Sequence, residues 1–200
     1  MDSDRRRRLT PEERRAQLLA LGVAFLAERP LDDLTIEELS ARAGVSRGLV
    51  FHYFGSKQGL HRAVVTTAGA SMLAASAPKP ALDPVERLRD TLARIVQFVR
   101  EHRGTFFSLV RGVASGDGVV RTIVDDTRDV HAERIITVFL ELGVEDSELL
   151  RVALRSWVSF AEEVLIELAL GTEMDAADIV GFLERSARGV VGATGADRLP

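Results

Sequence analysis

Residues 35–54 read TIEELSARAGVSRGLVFHYF, and this stretch decides the fold of the first part of the chain. Leu39 and Ala43 lie on one face of a short helix at helical spacing. Gly44 can take the left-handed conformation that ends a helix in a tight turn, and Ser46 can begin the next helix as its N-cap. This spacing predicts two short helices that cross at a steep angle through a three-residue turn, the helix-turn-helix. The alternative is an ordinary helical hairpin within a larger bundle.

Helix signals recur along the rest of the chain. Thr10 and Asp83 each precede a Pro and a nearby Glu in the pattern of a helix N-terminus, and the period-two alternation of strands is scarce. The patterns predict helices at 11–28, 35–43, 46–53, 56–76, 84–102, 104–114, 117–142, 147–170 and 175–192. We therefore expect an all-α protein of about nine helices, with a Pro-containing break at 77–80 between the fourth helix and the fifth.

The composition limits the classes of protein to which the chain can belong. It has 200 residues, a net charge of −4 and no Cys, which excludes disulfide scaffolds, thiolate metal sites and cysteine nucleophiles. Residues 1–62 carry 11 basic and 9 acidic side chains, so the net positive charge is confined to this part. No apolar run approaches about 18 residues, and no apolar segment follows the basic stretch Arg5–Arg8. Neither a membrane span nor a secretory signal is expected, and we expect a cytoplasmic protein.

From residue 35 through the segment FHYFGSKQGL, the chain resembles the DNA-binding domain of the TetR (tetracycline-repressor-like) family. That family joins a helix-turn-helix to an aromatic-rich segment, which is filled here by Phe51, Tyr53, Phe54, Ser56, Lys57 and Leu60. The resemblance is strong over residues 11–60 and extends to the remainder only in length and helical layout. It implies an N-terminal three-helix DNA-binding domain at 1–60, followed by a helical bundle at 61–200 for ligand binding and dimerisation.

A DNA-contacting surface is predicted on the second helix of the motif and around it. Arg47 has donors that can reach O6 and N7 of guanine, and Gly48 lets the backbone approach a phosphate. The predicted DNA-binding residues are Thr35, Ser46, Arg47, Gly48, Leu49, Phe51, His52, Tyr53 and Lys57. The alternatives are that Arg47 is a solvated surface cation and that Phe51 belongs to the core.

Two positions depart from the usual pattern of the family. Leu49 stands where the family usually has Thr, and Phe51 stands where it usually has Tyr. Two hydroxyl contacts to DNA therefore become apolar contacts, for example to a thymine methyl group. The basic stretch Arg5–Arg8 resembles the arm that some members extend toward the minor groove, and a solvated tail is the alternative.

The last two predicted helices are apolar over a surface too wide for a small domain to bury alone, which predicts pairing with a second copy. The predicted interface residues are Leu150, Leu154, Ile179, Phe182, Leu183 and Val190. The resemblance implies the same arrangement, a homodimer joined by a four-helix bundle. A dimer also suits two recognition helices that must reach half-sites about one DNA turn apart, roughly 34–36 Å.

Polar residues interrupt the apolar stripes of the predicted C-terminal helices and point to a ligand site. Thr127 and His131 lie within the apolar stripe of helix 117–142, and a mostly apolar cavity with a few polar groups is typical of small-molecule sites. The predicted lining residues are Phe98, His102, Phe106, Phe107, Thr127, His131, Trp157 and Phe160. Alternatively, the aromatic residues form core, His131 is a satisfied buried histidine, and His102 favours a helix C-terminus electrostatically.

These patterns predict a TetR-like DNA-binding transcriptional regulator, a repressor that a small, largely apolar effector releases from a palindromic operator. The expected partners are double-stranded DNA, a second copy of the chain and that effector, with no membrane, cofactor or metal. The sequence contains no metalloprotease, nucleophile-elbow, Walker or dinucleotide motif, so catalysis is not expected. One alternative is a helix-turn-helix protein whose C-terminal body makes only protein contacts. Another is a helical adaptor that no longer binds DNA.

Overall fold

The chain folds into helices over the residues that the computed structural model describes, 9–111 and 118–195, and this part contains no strand. Its α-helices are α1 (Pro11–Leu26), α2 (Ile36–Ala43), α3 (Arg47–Phe54), α4 (Lys57–Ala75), α5 (Pro84–Glu101), α6 (Arg103–Arg111), α7 (Gly118–Glu141), α8 (Glu148–Val164) and α9 (Ala176–Ala193). A 3₁₀ turn, Leu31–Asp33, precedes α2, and a π-helical segment, Leu165–Leu170, continues α8. The predicted all-α fold is confirmed, whereas the basic stretch Arg5–Arg8 lies outside the described residues. None of the described helices combines the length and the apolarity needed to cross a membrane.

Side-chain caps determine where most of these helices begin. In α1 the Thr10 hydroxyl accepts the Glu13 N–H at 3.2 Å, and the Glu13 carboxylate accepts the Thr10 N–H at 2.8 Å. A side-chain oxygen accepts a first-turn N–H in the same manner at Thr35, Ser46, Ser56, Asp83, Ser147 and Asp175. One such cap contributes about 1 kcal/mol to stability. The helix starts are therefore encoded locally, which is why the sequence predicts them closely.

Two hydrophobic cores divide the described residues, and α4 contributes to both. The first core is formed by α1–α4 and is closed by residues of α7 that include Val124. The second is formed by α5–α9 with the C-terminal half of α4. Ala68 belongs to the first core and Met72 to the second. Packing thus changes inside α4, several residues after the predicted boundary, and the division into 1–60 and 61–200 stays a prediction.

Helices α4 and α7 come close together where Gly69 of α4 faces Thr127 of α7. A Cβ atom added at Gly69 would lie 2.9 Å from Thr127 Oγ1, closer than real Cβ atoms come to a neighbour. The Thr127 hydroxyl donates to the Ile123 carbonyl at 2.9 Å within its own helix. The absence of a side chain at Gly69 therefore permits the close contact between α4 and α7.

Candidate DNA-contacting surface and internal cavity

The turn between α2 and α3 has the geometry of a helix-turn-helix. Gly44 has φ +63° and ψ +37°, the left-handed conformation that the sequence predicts. The Val45 N–H then donates to the Ser40 carbonyl at 3.0 Å, which closes the end of α2. Leu39 of α2 and Val50 of α3 are fully buried in the first core. These contacts hold α3 rigidly and leave its other side in solvent.

The solvent side of α3 carries Arg47, Gly48, Phe51 and His52, which we call the α3 surface. Phe51 is 58% exposed, so it is not a core side chain. The exposed Arg47 side chain lies 3.6 Å from the carboxylate of Glu37, which is also exposed. A surface ion pair of this kind contributes roughly 0–1 kcal/mol. A base or phosphate can therefore replace the Glu37 carboxylate at small cost in free energy.

The other predicted DNA-binding residues lie around the α3 surface and differ in their burial and in the hydrogen bonds they already make. The hydroxyl oxygens of Thr35 and Ser46 accept N-cap hydrogen bonds at 3.0 and 3.2 Å, which leaves their hydroxyl hydrogens able to donate to a phosphate. Leu49 and Tyr53 are half-buried at the edge of the first core. Lys57 Nζ donates to a backbone carbonyl in the turn before α2 at 2.6 Å, so a phosphate contact would have to replace this bond.

The predicted interface residues divide between the interior of the protomer and its surface. Leu150, Leu154, Ile179 and Leu183 are fully buried within the second core, so their side chains cannot reach a second copy. Val190 is half-buried, and Phe182 is 40% exposed. The helical period identifies the apolar faces of α8 and α9, but it does not tell which face packs inside the protomer.

A different set of apolar side chains on α8 and α9 faces solvent. Leu149, Val152 and Phe160 of α8 and Phe182 of α9 are all exposed, and we call them the α8–α9 surface. The rings of Phe160 and Phe182 lie 6.2 Å apart between centroids. Phe160, which the sequence places in the ligand site, thus lies on this outer surface. A pair of exposed aromatic rings in contact, with further exposed apolar side chains on the same helix, is typical of an interaction site.

An internal cavity of about 220 Å³ lies between α4, α5, α7, α8 and α9. Its wall is mostly aliphatic, with Leu88 and Leu92 of α5 and Ile135 of α7 among the residues that form it. Two of the predicted lining residues, His131 and Trp157, belong to this wall. The indole N–H of Trp157 donates to a serine of α9 at 2.9 Å, which fixes the ring between the two helices.

The other predicted lining residues lie elsewhere. Phe106 and Thr127 border a second, much smaller cavity of about 20 Å³ beside α4. Phe98 is buried in the second core, and its ring lies 4.5 Å from that of His102, the C-cap residue of α5. Phe107 is 49% exposed on α6. Aromatic residues at helical spacing therefore serve here mainly as core or surface residues.

Three charged residues of the cavity wall, Arg87, Arg134 and Glu162, were not predicted from the sequence. Arg134 lies one helical turn after His131, and this spacing is the signal that could have revealed it. Its guanidinium donates at 3.1 Å to the Leu73 carbonyl, and at 3.2 and 3.1 Å to the carbonyl and hydroxyl oxygens of Ser76. These acceptors lie at the C-terminal end of α4, so Arg134 joins the cavity wall to that helix.

The ionisable groups of the wall have pKa values that reflect burial. Burial, aided by the positive charge of Arg134, lowers the pKa of His131 to about 4. Nε2 of His131 is buried and has no hydrogen-bond partner among the described residues. Burial raises the pKa of Glu162, although Arg128 lies 2.8 Å away and opposes that shift. His131 is therefore neutral at pH 7 and can donate or accept at Nε2, depending on its tautomer.

The burial of His131 predicts a specific loss of stability in mild acid. Because the unfolded chain binds a proton near pH 6.5 and the folded chain only near pH 4, stability falls as the pH falls through this window. We expect a loss of about 1–2 kcal/mol between pH 7 and pH 5 from this residue alone. Urea unfolding of the native protein and of His131→Gln at both pH values measures it. Equal pH dependence in the two proteins would contradict the prediction.

Comparison with known proteins identifies the family that the chain resembles. Residues 18–64 match the family model "Bacterial regulatory proteins, tetR family", and residues 84–187 match "Tetracyclin repressor-like, C-terminal domain". A curated relative, the HTH-type transcriptional regulator BetI of Burkholderia ambifaria, is 35% identical over 85 residues. That match covers 41% of this chain and 44% of the relative, so it spans less than half the length of either protein.

Two solved structures resemble the whole described fold. A tetR-family transcriptional regulator from Streptomyces coelicolor superposes with a TM-score of 0.79 at 27% identity, over 95% of this chain and 85% of that one. A TetR-like transcriptional regulator from Rhodococcus sp. RHA1 gives a TM-score of 0.73 at 29% identity, over 92% of this chain and 100% of that one. With two family models that together match most of its length, the chain belongs to the tetR family of bacterial regulatory proteins.

Proposed function

We propose that the protein is a repressor that binds a pseudo-palindromic operator as a homodimer and is released from it when a small molecule enters the cavity. The observation that carries this proposal is the position of α4. Its N-terminal half packs in the core that holds the α3 surface, and Met72 in its C-terminal half borders the cavity. A ligand that displaces this half of α4 would therefore also displace the helix-turn-helix.

Release from the operator requires only a modest difference in ligand affinity between two states of the dimer. A ligand that binds one state of the dimer more tightly than the other by 1–3 kcal/mol changes operator affinity about 5- to 150-fold. The cavity, at about 220 Å³, has room for a small organic molecule, and its aliphatic wall provides the apolar contact that such affinity needs.

The α8–α9 surface supports the homodimer. A symmetric dimer uses the same patch on both copies, and the exposed rings of Phe160 and Phe182 would then meet those of the second copy. Pairing would also remove from water a patch that is costly to expose in a monomer. Two α3 surfaces related by this symmetry would meet two half-sites of a palindrome.

Replacement of Arg47 tests the DNA-binding part of the proposal. An operator is first obtained by selection from a random DNA library with the purified protein, and affinity is then measured by fluorescence anisotropy. We expect Arg47→Ala to weaken operator binding by about 1–3 kcal/mol and to relax base preference at one position in each half-site. The reason is that the exposed guanidinium is free to read a base edge once it leaves Glu37.

The control for this experiment is Arg155→Ala, which removes the same charge from an exposed position on α8, outside the helix-turn-helix. It should leave operator affinity unchanged. Equal weakening of operator and random DNA by Arg47→Ala would assign Arg47 to a phosphate contact. A thermal-shift screen in which no small molecule stabilises the protein would favour the alternative, a regulator whose C-terminal body makes only protein contacts.

A further inference from the structure

We propose that the cavity binds an apolar molecule with one anionic group, such as a carboxylate, and that Arg134 is the cation that receives this group. The inference rests on the proposed function, because it names the chemical class of the ligand for the same cavity. It follows from the charge balance of the wall, from two buried polar atoms and from the bonds that Arg134 makes to α4.

The first argument is the charge of Arg134. Three other arginines on the helices that surround the cavity have carboxylate partners: Arg87 pairs with Glu141, Arg94 with Asp90 and Arg128 with Glu162. Arg134 instead donates to two carbonyls and a hydroxyl, and no carboxylate among the described residues pairs with it. A partly buried charge without a counter-ion is unfavourable. An anionic group of a ligand would supply the missing charge.

The second argument is a pair of polar atoms without partners. Arg87 Nε and His131 Nε2 are buried and make no hydrogen bond to any described residue. Both residues belong to the cavity wall. A buried donor without an acceptor is costly, and the N–H of Arg87 can only donate. Ligand oxygens satisfy such donors, whereas a hydrocarbon ligand would leave them unpaired.

The charges of the wall also disfavour a cationic ligand. Glu162 is the carboxylate of the wall, and the Arg128 guanidinium already occupies it at 2.8 Å. Arg134, which pairs with no carboxylate among the described residues, would repel a further positive charge in a largely apolar surrounding, where repulsion is poorly screened. The positive charge of Arg134 therefore both disfavours a cationic ligand and favours an anionic one.

The third argument links anion binding to the helix-turn-helix. Arg134 and Arg94 both donate to the C-terminal end of α4, with Arg94 bound to the Ala75 and Ala77 carbonyls at 2.8 and 2.7 Å. Arg134 borders the cavity and has no counter-ion in the described chain, while Arg94 lies outside the wall and is paired with Asp90. An anion in the cavity would thus compete with α4 for Arg134 and leave the Arg94 bonds in place.

Calorimetric titration with defined probes tests this proposal on the full chain. The probes are straight-chain saturated carboxylates of about 6 to 12 carbons, together with the primary alcohols and primary amines of the same lengths. We expect the best carboxylate to bind at least about tenfold more tightly than its alcohol, and the amine to bind more weakly than either. Alcohols that bind as tightly as carboxylates, tighter binding of amines, or no binding of any carboxylate would overturn the proposal.

Variants assign the preference to Arg134. Arg134→Gln should reduce the preference for carboxylate over alcohol to less than about threefold, and Arg134→Lys should retain most of it because it keeps the charge. Arg94→Gln is the matched control, since it weakens the same end of α4 and should leave the preference intact. A preference that survives Arg134→Gln would overturn the assignment, and the comparison of probes on the native protein does not depend on any variant folding. Operator binding by the ligand-free protein reports separately on the proposed function.

Discussion

Replacing Phe182 with glutamate is expected to convert the proposed homodimer to a monomer, with a rise of at least about 100-fold in its dissociation constant. At this exposed position the side chain contributes to the α8–α9 surface rather than to the protomer core. Two glutamates would meet near the symmetry axis of the dimer in an apolar patch that also contains Phe160. Burial of unpaired charge in such a patch costs at least about 2–3 kcal/mol, which corresponds to this change.

Sedimentation velocity over a range of protein concentrations measures the dissociation constant of the dimer, and fluorescence anisotropy measures operator binding. The monomer should bind the operator much more weakly, because it can occupy only one half-site at a time. Phe107→Glu is the matched control, since Phe107 is 49% exposed on α6, outside the α8–α9 surface. If Phe107→Glu dissociates the dimer and Phe182→Glu does not, the interface lies elsewhere on the protein.

The helix-turn-helix could be predicted almost completely from the sequence because its determinants are local. The conformation of Gly44 and the caps at Thr35 and Ser46 depend on residues within one turn of the chain. Arg47 and Phe51 are exposed because α3 is short and buries one side through Val50, but for Phe51 the sequence alone left a core position as an alternative. Local steric and hydrogen-bonding rules suffice for such a motif.

The cavity and the interface depend on how distant helices pair, which a periodic pattern does not specify. Leu154 and Leu183 belong to apolar stripes that pack inside the protomer, and the exposed Phe160 lies on a different side of α8 from Leu154. Arg134 was missed for a different reason. A charged residue normally indicates a solvent-facing position, and its role here arises only because the end of α4 offers it carbonyl acceptors.

Substitution of Gly104 by alanine should destabilise the protein by about 3 kcal/mol. Gly104 lies in the first turn of α6, against the end of α1, and a Cβ there would lie 2.4, 2.5 and 2.6 Å from the O, Cα and C atoms of Ala27. These are backbone atoms, which cannot rotate away as a side chain can. Either α6 moves away from α1 or the strain remains, and overpacking of this kind costs about 1–3 kcal/mol or more.

Gly48→Ala provides the matched control for stability. Gly48 lies in α3, where the nearest described neighbour of an added Cβ is Ser46 Oγ, at 4.0 Å. Alanine there should leave stability unchanged or raise it by up to about 1 kcal/mol, because it is the better helix former. Urea unfolding of both variants measures the difference. If Gly104→Ala were as stable as the native protein, α6 would not be held against α1, and the contact of the second core with the first would then depend on α4 and α7.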